Sequence, residues 1–244
     1  MRAKNGAGLI IALDLPDATQ ALGLARDLRG IVPWCKVGLE LFCAAGPPLL
    51  SSLRAMGYRI FLDLKFYDIP NTVARAVRSA VLSGADMLTI HCQGGSRMCH
   101  AAMEAVEELP RERRPFVIGV TALTSFGPGE MPGIARDPGE FAIMLAGMAC
   151  EWGLDGIVCS GHELAPISAA YPRMLRVCPG IRPAGCAAGD QTRVMSPAEA
   201  VRNGASFLVA GRPILEAPSP AGAARAILAE MDKAEEEGAN ENFQ

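Results

Sequence analysis

Eight short apolar runs rich in β-branched residues, each followed by helix-forming sequence, dominate the chain. They are LIIALDL (9–15), WCKVGLEL (34–41), RIFLDLKF (59–66), MLTIHC (87–92), FVIGVTAL (116–123), GIVCSG (156–161), LRVCPGI (175–181) and FLVAGR (207–212). Segments such as DATQALGLARDLRG and SRMCHAAMEAVEEL fill the intervals. Strands alternating with helices build βαβ units, whose strands run parallel. Eight such units in 244 residues suit one closed barrel. The expected fold class is therefore α/β, a single (β/α)8 TIM barrel over residues 1–244. The alternation by itself also admits an open, doubly wound sheet. Because only 5% of residues are aromatic, the core is expected to rest largely on Ala, Val, Ile and Leu.

No internal linker interrupts the pattern. Two stretches rich in Gly and Pro, TSFGPGEMPGIARDPGE (124–140) and RPAGCAAGDQTR (182–193), read as long loops after the fifth and seventh strands. Loops of that length in compact domains are often functional. The C-terminal KAEEEGANENFQ reads as a polar tail, expected to fray from about residue 234.

Charge and cysteine usage narrow the function. A formal net charge of -3 without a basic run offers no footprint for nucleic acid. Small anions remain eligible ligands, since local charge binds them. The eight cysteines form no Cys-x-x-Cys pair, so no zinc site is expected. The N-terminal apolar run is too short for a secretory signal and meets Asp14 and Asp17. No apolar segment is long enough to span a membrane. A reducing cytoplasm, with cysteines as small buried hydrophobes, is the expected setting.

Ionisable residues gather where the strands end. Asp14 closes the first run, Lys36 and Glu40 lie in the second, and Asp63 and Lys65 end the third, with Asp68 just beyond. His91 closes the fourth, and Arg182 and Arg212 follow the seventh and eighth. In a (β/α)8 barrel these ends form the active-site face. Strand alternation puts Asp63 and Lys65 on one side. Each residue alone has a structural reading: Asp68 as a helix cap, Lys65 reaching to solvent, His91 as a core histidine, either arginine as a surface residue. Glu40, Cys35 and His162 carry no motif and read as structural. As a set, the lysines and carboxylates fit a preorganised field better than core packing. An opposite charge about 4 Å away contributes roughly 4 kcal/mol at an effective dielectric of 20, which keeps all of them ionised. Such a field suits proton transfer, or charge development, on a small anion.

Across the barrel, PGIRP (179–183) and VAGRP (209–213) bring glycines and arginines to the strand ends where this fold often binds phosphate. Gln191 lies on the loop between them. Dinucleotide, P-loop, zinc-protease and serine-hydrolase fingerprints are missing from the sequence.

With IIALDLPD, KVGLELF, DLKFYDIPNT, LTS, PGIRP, GDQTR and GRPI in this order, the chain resembles the orotidine 5'-monophosphate decarboxylase family, bacterial branch, over nearly the whole barrel. DLKFYDIPNT is the most specific of these; bacterial members usually have His where this chain has Tyr67. The resemblance implies cofactor-independent decarboxylation of orotidine 5'-monophosphate to UMP and CO2 in de novo pyrimidine synthesis, with no metal. It places Asp63 beside the substrate carboxylate, makes Lys65 the proton donor to C6, and has Lys36 and Asp14 touch the ribose. Asp68 and Thr72 then enter the neighbouring subunit's site, which implies a homodimer with shared active sites, and Ile69 is a further substrate-binding residue. Thr124 and Ser125 face the pyrimidine; Gln191, Gly211 and Arg212 hold the phosphate, with Arg182 nearby. Two rivals stay open: a metal-dependent enzyme of the same superfamily acting on a phosphorylated keto-sugar, and an inactive barrel that binds phosphates.

Overall fold

The apolar runs pair in chain order. The computed structural model describes residues 6–183 and 194–241. Strands β1 (Gly8–Ala12), β2 (Trp34–Gly38), β3 (Arg59–Phe66), β4 (Met87–His91), β5 (Phe116–Val120), β6 (Gly156–Val158), β7 (Leu175–Cys178) and β8 (Phe207–Ala210) form a closed barrel. Pairing of β8 with β1, from Gly8–Phe207 to Ile11–Ala210, closes it and rules out the open sheet. Around it lie α1 (Ala18–Asp27), α2 (Leu39–Ala55), α3 (Pro70–Leu82), α4 (Gly95–Glu107), α5 (Pro138–Glu151), α6 (Leu164–Ala170), α7 (Pro197–Arg202), α8 (Arg212–Leu215) and α9 (Pro220–Glu241).

Local chemistry explains several helix starts. Asp17 accepts the Gln20 N–H at the head of α1, and Asp137 accepts that of Gly139 at the head of α5. Ser196 and Glu199 cap α7 reciprocally, with Pro197 in its first turn.

Of the eight runs, only the third is strand throughout. Six of the others leave the sheet before their apolar residues end, because ladder pairing stops where the chain turns toward its helix while burial continues: Leu13, beyond β1, is fully buried. Two expectations change as a result. Glu40 lies in the first turn of α2 rather than in the second strand, and the loop after β5 ends at Asp137, so 138–140 are helical. The tail expected to fray from 234 continues α9 to Glu241.

Strand alternation sorts the core into two layers. One set of side chains, including Leu9, Ile11, Val37, Ile60, Leu62 and Leu88, packs against the helices. The other fills the barrel: Ile10, Trp34, Phe61, Met87, Ile118 and Phe207 among them. Three of these are aromatic, so the interior plug departs from the expected aliphatic core. Trp34 and Phe207 meet edge to face with ring centroids 5.5 Å apart.

At the N-terminal rim, side chains complete the ladders. Asp86 accepts the Ile60 N–H, Asp155 accepts the Val117 N–H, and the Ser206 hydroxyl accepts the Arg176 N–H. Arg54 neutralises Asp86 at 2.8 Å. Buried Arg176 spends its guanidinium on the carbonyls of Gly204, Tyr171 and Met174. These bonds fasten the face opposite the strand C-termini.

Truncating the plug tests this layering. Phe207→Ala is expected to cost about 3–5 kcal/mol, the usual loss for a buried aromatic, read as a lower guanidinium midpoint with unchanged slope.

Candidate active site

Two residues beyond the plug, the inward positions turn polar. On β2, Trp34 is followed by Lys36; on β3, Phe61 by Asp63; on β4, Met87 by Thr89. One period-two rule thus places plug and polar layer on the same inner wall. Lys36 donates to Asp14 at 2.8 Å and lies 3.7 Å from Asp63, which receives Lys65 at 2.9 Å. The order Asp14, Lys36, Asp63, Lys65 is a continuous chain of alternating charge. Its middle is largely buried: the Lys36 and Asp63 side chains are each 12% exposed, against 54% for Asp14. Gly38 makes room for it, since a Cβ there meets the Lys36 Nζ at 3.1 Å and Asp14 Oδ1 at 3.3 Å.

Burial alone pushes the Asp63 carboxyl up, but Lys36, Lys65 and hydrogen bonds from Lys65 and Thr89 outweigh it, leaving the pKa below the ordinary carboxylate value. His91 moves down, first through burial and then through Lys65, with Asp63 opposing, so its ring is neutral near pH 7.

Lys65 does not reach Asp63 by plain alternation. Its φ is +51°, the only positive value among described non-glycine residues. Register against β4 shifts between Leu62 and Phe66, and the Lys65 N–H goes to the Thr89 hydroxyl at 2.9 Å. Fully buried Thr89 had no motif to announce it; its inward register, two residues after Met87, is the signal that finds it.

The charged chain lines one wall of a cavity of about 490 Å³. Thr124, Gly211, Arg182 and Arg212 also line it. Arg182 is buried and follows the turn at Gly180, whose φ of +76° favours glycine. The structure thus assembles Asp14, Lys36, Asp63, Lys65, Thr124, Arg182, Gly211 and Arg212 around one space. Ser125 is exposed and outside that lining. So are Asp68, Ile69 and Thr72, at the junction of β3 and α3. Asp68 does not cap α3: Ile69 holds the N-cap position, and among the described residues Asp68 accepts the Ile69 N–H, at 2.6 Å. Tyr67 lies over His91, ring centroids 5.4 Å apart. Gln191 falls outside the described residues. Among those described, no three His, Cys, Asp or Glu side chains gather as a metal site, and no helix is long and apolar enough to cross a membrane.

The chain is thus a (β/α)8 barrel whose strand C-termini carry a cavity with lysines interleaved with carboxylates on one wall and two arginines on the lining. The family is more particular. Residues 7–227 match the model of the orotidine 5'-phosphate decarboxylase / HUMPS family, and the chain belongs to that family. It is 54% identical over 229 residues to an orotidine 5'-phosphate decarboxylase of Nitratidesulfovibrio vulgaris, covering 92% of this chain and 97% of that protein. A Pseudomonas aeruginosa orotidine 5'-phosphate decarboxylase is 46% identical, covering 91% and 97%. The crystal structure of the Lactobacillus acidophilus orotidine 5'-phosphate decarboxylase superposes with a TM-score of 0.82 at 34% identity, covering 92% and 99%.

The lowered Asp63 pKa has a consequence for stability. The unfolded carboxyl binds its proton first as pH falls, so Asp63 stabilises the fold above the ordinary carboxylate pKa of about 3.9 and loses that contribution as pH drops through its lower folded value. Denaturant unfolding between pH 6 and 2 is expected to show a shallower acid loss in Asp63→Asn than in wild type.

Proposed function

We propose that this protein decarboxylates orotidine 5'-monophosphate to UMP and CO2 without metal or organic cofactor, as a step of pyrimidine nucleotide synthesis in the cytoplasm. The observation that carries the reading is the Asp14–Lys36–Asp63–Lys65 chain on the wall of a cavity that Arg182 and Arg212 also line. A nucleotide with an anionic ring substituent and a phosphate matches both charge sets.

In this reading Arg212, Gly211 and Arg182 receive the phosphate, planar guanidinium forks being suited to its oxygens. Gln191 joins them by family resemblance. Asp14 and Lys36 hold ribose hydroxyls, and Thr124 meets the pyrimidine. Ser125 does so once the loop after β5 folds over the ligand. The substrate carboxylate then sits beside Asp63. Breaking the C6–CO2 bond leaves its electron pair on C6 as CO2 departs. The Lys65 ammonium faces that developing charge, and its N–H bond breaks as C6–H forms, leaving a neutral amine for solvent to reprotonate. Phosphate contacts far from C6 supply energy for orienting the ring.

Exposure of Asp68, Ile69 and Thr72 beside the site supports a homodimer in which each chain completes its partner's cavity. Ile69 is 67% and neighbouring Tyr67 59% exposed, an apolar surface suited to cover.

Loss of orotidine 5'-monophosphate absorbance tests the activity. Wild type is expected to turn over fully in EDTA, and Lys65→Ala to lose roughly 10³-fold or more in kcat, within the range for a positioned proton donor. Turnover only of hexulose phosphates with added magnesium overturns the assignment.

Mixing inactive Lys65→Ala and Asp68→Ala chains tests the shared site. After random exchange about a quarter of sites regain both groups, all in mixed dimers of two-fold symmetry. Exchange shown by mass labels without regained activity counts against sharing.

A further inference from the structure

We propose that Thr89 is a positioning residue whose hydroxyl holds Asp63 and the strained Lys65 backbone in register with each other; the proposal rests on the decarboxylase reading. The hydroxyl makes two bonds of opposite sense: it accepts the Lys65 N–H at 2.9 Å and donates to Asp63 Oδ1 at 3.0 Å. A threonine hydroxyl has one proton. Spending it on Oδ1 while Lys65 donates to Oδ2 gives both carboxyl oxygens a donor, so the two contacts together favour the ionised carboxylate. Oδ2 is left for Lys65, 2.9 Å away, and Lys36, 3.7 Å away. Each Asp63 oxygen thereby has its own partner.

The same hydroxyl answers a backbone problem. From Leu62 to Phe66 β3 advances four residues, while the paired β4 positions, Leu88 and Ile90, advance two. The excess bulges out at Lys65 (φ +51°), a conformation uncommon for a residue with a Cβ. Away from the regular ladder, the Lys65 N–H needs another acceptor in a buried setting, and Thr89 supplies it. Side chain and backbone of the proposed proton donor therefore converge on one threonine, Lys65 through Asp63 and directly.

The groups facing Asp63 are Lys36 from β2, Lys65 on its own strand, and Thr89 and His91 from β4, with Asp14 reached through Lys36. Of these Thr89 alone is neutral at every pH, so its removal changes hydrogen bonding without changing charge.

Thr89→Val keeps the shape and removes the hydroxyl; Thr89→Ser keeps the hydroxyl. Thr89→Val is expected to lower kcat at least about tenfold while KM moves less than about threefold. The acid limb of its pH–rate profile should shift upward by about one unit, since an ionised Asp63 loses a donor. Thr89→Ser should restore most of the rate. Two-dimensional carboxylate NMR, with the Asp63 signal assigned through Asp63→Asn, should show the same upward titration shift without substrate. Unchanged kcat, profile and Asp63 titration in Thr89→Val overturn the proposal. So does a rate loss of equal size in kcat and in bound UMP with the Asp63 titration unmoved, which marks a general folding defect. Failure of wild type to consume orotidine 5'-monophosphate sinks the decarboxylase reading separately, and the titration then decides the clamp alone.

Discussion

The Asp63 carboxylate sits on the inner wall of the barrel mouth with its side chain only 12% exposed, and the rest of the site follows from keeping it charged there. A buried, unpaired charge costs several kcal/mol, and losing one partner of a buried pair typically costs 3–5 kcal/mol. Lys36, Lys65 and Thr89 together saturate Asp63, and they come from three adjacent strands. Neighbouring parallel strands held in fixed stagger are what bring those three side chains to one point. The charge requires the barrel, and the barrel's upper layer is organised around the charge.

Function and stability are divided along the barrel axis. Below the ion layer, Trp34, Phe61, Met87 and Phe207 close the interior, and below them Asp86, Asp155 and Ser206 tie strand ends together. That foundation lets the upper end tolerate what a marginal structure could not: a lysine at positive φ, a broken register and a half-buried chain of alternating charges. Strain of this sort persists where surrounding structure over-determines it, and it collects at functional sites. Lys65 is such a case, locked by Thr89 through its backbone and by Asp63 through its side chain.

The two charge sets of the cavity divide the work in the proposed reaction. Arg182 and Arg212 contribute attraction that is the same before and during bond breaking, and so serve binding. The Lys65 ammonium interacts more strongly as charge develops on the ring, which is the interaction that lowers a barrier. A neutral His91, with its Nδ1 buried and lacking a hydrogen-bond partner among the described residues, adds no competing positive charge at neutral pH.

Much of this was written in one dimension. Eight apolar runs spaced by helical sequence dictate βαβ units, because periodicity and burial are local properties of a chain. DLKFYDIPNT carries Asp63 and Lys65 at a spacing that no core strand needs, and the arginines after the seventh and eighth runs both line the cavity. Strand ends were less legible: Glu40 continues an apolar run yet is helical, since a ladder stops where its neighbour stops. Barrel closure, the β3–β4 register shift, the positive φ of Lys65 and the role of Thr89 were decided only in three dimensions. Each depends on a hydrogen bond or packing contact between residues two dozen or more positions apart, and such partners are chosen by the stagger of folded strands rather than by neighbours in sequence.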